Sequence, residues 1–153
     1  MDDTEFILTK NIPIQEKNLD RSIQNQNGKT HLVLYTEKTF DDAVVSVIKN
    51  IEKKGWAIFA IYDIRERLAA KGFVLGRMKI IEFCSAKNAN AILKKNPYIS
   101  ICMPCRISIF ENEGKIVIAS MKPMAMSSFF KGIDASDIEE VDAGISEIIN
   151  GSV

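Results

Sequence analysis

The residues best equipped for chemistry are three cysteines: Cys84, closing "RMKIIEFC", and Cys102 and Cys105, within "ICMPCRISIF". Cys102-Met103-Pro104-Cys105 has the spacing of a redox pair. Thioredoxin-like pairs, however, place the first cysteine at a helix N-terminus, where the dipole and free N–H groups favour the thiolate. Here the flanks "YISI" and "RISIF" are β-formers, and residues i and i+3 of a straight strand point to opposite faces. Cys102 and Cys105 are therefore expected on different sides of a sheet and not as a vicinal redox pair, with Pro104 interrupting the strand at its start, a bulge or an edge.

A zinc centre needs a further ligand pair. The remaining soft ligands are Cys84 and the chain's one histidine, His31, and their scatter does not form a closed four-ligand pattern, so no stoichiometric zinc is expected. "MKPMAM" offers a softer set. Met121, Met124 and Met126, with Cys102, Met103 and Cys105, would suit Cu(I) or haem iron, against the plainer role of methionine as gap-filler under a loop. Cys84 stands immediately before Ser85, a candidate helix N-cap. A thiol there lies at the positive end of a helix dipole and beside a ready anion site, which makes Cys84 the expected most acidic and first-alkylated thiol, with Cys102 slow. With one histidine, and carboxylates mostly at helix caps, a serine or carboxylate catalytic constellation has little support.

The elements that must position these residues can be read from patterning. The chain of 153 residues suits a single domain with a sizeable core, and 20 basic against 20 acidic residues leave no basic excess for nucleic acid. No run approaches a membrane span, the acidic start "MDDTEFILTKN" lacks a signal-peptide core, and three cysteines, an odd number, fit reduced thiols in the cytoplasm better than a disulfide framework. Residues 1–30 are polar and rich in Asn and Gln, apart from a short strand expected at "FIL" (6–8); the compact domain is expected over 31–153.

Within it, "HLVLYTE" reads as a strand, and Thr39 caps a helix over 39–54 with the stripe Phe40, Val44, Val47, Ile48 and Ile51. "WAIFAIY" (56–62) is a nearly continuous apolar strand, so that helix is expected to cross between two neighbouring strands. Asp63 with Glu66 caps a helix to Lys71, "RMKIIEFC" is a strand, and Ser85 opens a helix that Asn96-Pro97 ends at Lys95. "YISICMPCRISIF" (98–110) and "KIVIASM" (115–121) read as strands joined by the loop "ENEG", and Ser136 with Glu139 caps a last helix, 136–150. These elements describe an α+β two-layer sandwich, a mostly antiparallel sheet with helices chiefly on one face.

Two stretches, "IRERLAAKGFVLGRMKIIEFCSAKNANAIL" and "PYISICMPCRISIFENEGKIVIASMKP", resemble family 302 of the domains of unknown function. In that pattern a strand ends in Cys, often before Asn-Pro, and leads into an Ala-rich helix; an apolar-Pro-Cys sequence, a hairpin and a strand ending near proline follow. Cys84 matches the first cysteine, Pro104 and Cys105 the Pro-Cys pair, and Pro123 the last proline, over about residues 38–131. Ser85-Ala86 stands where Asn-Pro is usual, and Cys102 is outside the pattern. The resemblance implies a TATA-binding-protein-like fold, a homodimer, and a Cys84/Cys105 pair brought together by folding. The leading expectation is a small-molecule or sulfur ligand beside Cys84, Ser85, Pro104 and Cys105, with the soft-metal module and a non-catalytic interaction domain whose thiols are only packed as alternatives, while the family's name leaves the biochemical role and any cofactor open.

Overall fold

In the computed structural model, which describes residues 31–153, five strands and four α-helices follow one another with two 3-10 turns. The strands are β1 (His31–Thr36), β2 (Ala57–Asp63), β3 (Met78–Cys84), β4 (Cys105–Asn112) and β5 (Lys115–Met121). The helices are α1 (Phe40–Lys53), α2 (Ile64–Ala69), α3 (Ala86–Lys95) and α4 (Ala135–Asn150), and the 3-10 turns are Pro97–Cys102 and Pro123–Phe129. The strand expected at residues 6–8 lies outside the described residues.

The sheet runs β1-β5-β4-β3-β2, every neighbouring pair antiparallel. One face, carrying Leu32, Leu34, Phe83, Ile107, Ile109 and Ile118, forms the main core with α1 and α4. This is the α+β two-layer sandwich expected from the patterning. Local chemistry explains the helix starts: Thr39 Oγ1 accepts from the Asp42 N–H at 3.1 Å, and Asp63 Oδ1 from the Glu66 N–H at 2.9 Å. The β4–β5 hairpin is tighter than a four-residue loop. Pairing continues to Asn112↔Lys115, and the turn is Glu113-Gly114, at φ 51° and 77°. Two successive positive φ values make the tight turn whose twist matches the strands.

Three expectations are corrected. First, α1 does not cross between neighbours: β1 and β2 are the two opposite edges among the described strands, and α1 spans the sheet. β2 pairs with the next strand, β3, but β1 pairs with β5, about ninety residues on, so local patterning could not place β1. Second, residues 97–102 are a 3-10 turn and not strand. Asn96 Oδ1 accepts from the Tyr98 N–H at 3.0 Å and Pro97 takes the first helical position, a cap-and-proline start that outweighs the β-formers of "YISIC". Third, α4 is capped by Asp134 with Asp137 in a reciprocal box, two residues ahead of the Ser136–Glu139 pair.

Gly144, on the buried side of α4, lets the Trp56 indole lie directly against the helix backbone. Trp56 in turn stacks on Phe83, with centroids 6.0 Å apart and rings 10° from parallel. The C-terminal end is tied down by Ser152, which is fully buried: its Oγ accepts from Asn50 Nδ2 at 2.9 Å and donates to the Ile148 carbonyl at 2.6 Å.

Candidate functional site

The antiparallel order brings the C-terminal ends of β3 and β5 and the starts of β1 and β4 to one end of the sheet. Phe83 pairs with Cys105, so Cys84 lies one residue beyond that pair, and His31 pairs with Met121. A cavity of about 410 Å³ occupies this end, within the usual range for small-molecule sites.

Its walls come from both layers. Ile92 of α3, Ile99 of the first 3-10 turn, and Ile138 and Val141 of α4 line it on the helix side. The cavity then rounds the sheet end at Cys84, Pro104 and Cys105 and follows the second face. Along β4 the lining residues alternate, Arg106, Ser108, Phe110 and Asn112, while Ile107 and Ile109 point into the core. Val33 of β1 and Val117, Ala119 and Met121 of β5 complete that floor.

All three cysteines line this one cavity. Cys102 does so because it closes a 3-10 turn; strand parity, which was expected to separate it from Cys105, does not apply to it. Ser85 lies at the N-cap of α3 and also lines the cavity, but its side chain makes no capping bond; its Oγ accepts from Asn88 Nδ2 at 2.8 Å. Of the methionines, Met103, Met121 and Met126 line the cavity, and Met124 does not. Met124 instead uses its backbone N–H to bond Asp142 Oδ1 at 3.0 Å. Among the described residues no three or more His, Cys, Asp or Glu side chains are grouped to hold a metal ion.

The three thiols are free, and burial raises two of them, Cys84 and Cys105. Burial first, and then the charge of a nearby Cys84 thiolate, push the Cys105 thiol up to about 11, while Arg106 pulls the other way. Burial also raises Cys84, which is 7% exposed. Desolvation thus outweighs the thiolate preference expected from the start of α3. Cys84 is the most enclosed of the three and Cys102 is half-buried, so the alkylation order expected from the helix dipole is not supported by accessibility.

Polar lining residues concentrate on β4. Arg106 Nε is 3.6 Å from Glu82 Oε2 across the β3–β4 pair, an ion-pair distance, and Glu82 is buried on the same face. Glu82 also accepts from the Tyr62 hydroxyl, which raises the Tyr62 phenol. No Asp or Glu is among the described residues lining the cavity. Sequence reading missed Arg106, Ser108, Phe110 and Asn112; the signal was the alternation in "RISIFEN", whose polar positions mark a face away from the helices.

The family model described as "Domain of unknown function DUF302" matches residues 32–151. The chain belongs to that family. A solved structure, an uncharacterized conserved DUF302 protein from Bacillus stearothermophilus, superposes with a TM-score of 0.75 at 16% identity, covering 80% of this chain and 98% of that one. At that identity the likeness concerns the fold. A comparison with curated proteins found no match. The DUF302 domain described here has no helix, among the described residues, long and apolar enough to cross a membrane.

Proposed function

We propose that this DUF302 domain is a cytoplasmic, homodimeric binding module. Its cavity at the sheet end takes a small, largely apolar molecule, a sulfur-containing one included, beside Cys84, Ser85, Pro104 and Cys105. The observation that carries this reading is the convergence of three cysteines, from β3, the first 3-10 turn and β4, on one cavity of about 410 Å³ walled mostly by apolar side chains. The raised thiols of Cys84 and Cys105 suit such an occupant. A protonated Cys105, with its acidity pushed to about 11, is a weakly polar wall and a poor nucleophile at neutral pH.

The test is saturable binding of an environment-sensitive apolar dye, anilinonaphthalene sulfonate. One dye per chain should bind the native protein, and Ala119→Trp, which fills the floor between β1 and β4, should abolish it while the far-ultraviolet circular dichroism stays native. Dye binding that survives Ala119→Trp unchanged would place the dye elsewhere and refute this reading.

A soft-metal reading has one observation in its favour: Met103, Met121 and Met126 line the same cavity as the three cysteines. A thioether–thiol set of this kind matches Cu(I) better than zinc. Retention of one Cu(I) per chain against a competing chelator, lost in a Met121→Leu/Met126→Leu variant, would support it. Retention unchanged in that variant would count against it.

A further inference from the structure

Among the described residues, the charged lining of the cavity is one-sided: it contains Arg106 and no carboxylate. Apolar residues of β1 and β5 form a continuous floor, Val33, Val117 and Ala119, and Arg106 and Ser108 stand beside that floor on β4. Glu82, which pairs with Arg106, approaches through Nε at 3.6 Å and is not itself a lining residue. Glu82 therefore meets the guanidinium at Nε from outside the cavity lining, and the Arg106 side chain is 52% exposed.

Resting on the reading of this cavity as a ligand site, we propose that its occupant is an apolar organic acid, a carboxylate on an aliphatic body. The carboxylate meets Arg106, and the body lies over Val33, Val117 and Ala119 toward Phe110. The chemistry selects this class. A carboxylate taken into an apolar cavity needs a paired cation with matching donor geometry, and guanidinium supplies two parallel N–H bonds. An amine of the same shape would meet the Arg106 cation and no carboxylate among the described lining residues, and a neutral alcohol would forgo the charge-assisted bonds.

Isothermal titration of the full chain with octanoate and with octanol at neutral pH tests the class. Octanoate should bind at one per chain, about tenfold tighter than octanol, as charge-assisted bonds add about that factor. In the double variant Arg106→Gln/Glu82→Gln, which avoids stranding the buried carboxylate, octanoate should fall to the affinity of octanol and octanol should be unchanged. Octanol binding as tightly as octanoate to the native protein would overturn the acid assignment while leaving the cavity reading intact. A full octanoate advantage persisting in the double variant would overturn the role of Arg106. Neither compound binding, with the anilinonaphthalene dye still bound and still excluded by Ala119→Trp, would overturn the aliphatic-acid class; loss of the dye as well would overturn the cavity reading.

Discussion

Alkylation of Cys105 offers a quantitative test of how the cavity treats its thiols. An ordinary cysteine, at 9.0, is about one-tenth thiolate at pH 8; Cys105, raised to about 11, is only about one-thousandth thiolate. Since the thiolate is the reacting form, Cys105 in the folded protein should react with iodoacetamide about a hundredfold more slowly than the same residue in urea, before steric shielding slows it further. Quenched labelling at pH 8, read peptide by peptide by mass spectrometry, gives both rates. The same shift has a stability consequence. Because the folded value lies above the unfolded one, the contribution is fully present below about pH 9 and is lost as pH rises through about 11. Two units correspond to at most about 2–3 kcal/mol, and Cys105→Ala should remove that part of the alkaline loss. A folded-state rate within about tenfold of the unfolded rate would refute the desolvation reasoning, since it leaves room for less than half the shift.

Gly144→Ala should destabilise by up to about 2 kcal/mol in urea unfolding. The helix-propensity gain of about 1 kcal/mol is outweighed by overpacking of about 1–3 kcal/mol, because the new Cβ would lie 2.7 Å from Trp56 Cζ2. In a Trp56→Leu background the same substitution should turn stabilising, and a sign that does not change would contradict the contact. Ser152→Ala should cost about 1–2 kcal/mol, leaving the Asn50 amide without its acceptor; a change within error would show that water replaces the hydroxyl. Asp137 is held below the usual carboxylate value by Lys95 and by the Asp134 backbone, so its contribution is present above about pH 4 and fades as pH falls further. Asp137→Asn should therefore lower Tm at pH 7 more than at pH 3, and an equal drop at both would assign the loss to something other than charge.

The starts of α1 and α2 and the place of the hairpin were legible because their causes are local. Thr39 and Asp63 cap the turns that follow them, and Phe40, Val44, Val47 and Ile51 mark the buried side of α1 within a single segment. The strand order was not legible, because pairing β1 with β5 joins residues about ninety positions apart and no local pattern encodes it. The 3-10 turn was visible in principle, since Asn96-Pro97 is a cap-and-proline pair, but the β-formers behind it carried more weight in the reading. That error displaced Cys102 from the cavity and rested the thiol geometry on a parity rule for a residue outside any strand. The acidity of Cys84 failed differently. The helix start beside it is local and was seen, whereas the desolvation that prevails comes from chains packed around it from distant parts of the sequence.

The occupancy of the cavity is most directly read from the methionine methyl groups. With carbon-13 methyl-labelled protein, titration with octanoate should shift the Met103, Met121 and Met126 signals together, saturating at one ligand per chain, because all three line the cavity. A saturable shift confined to the three cavity methyls is the predicted result. Unmoved cavity methyls at octanoate excess, or shifts that do not saturate at one ligand per chain, would contradict the account of this end of the sheet as the binding site.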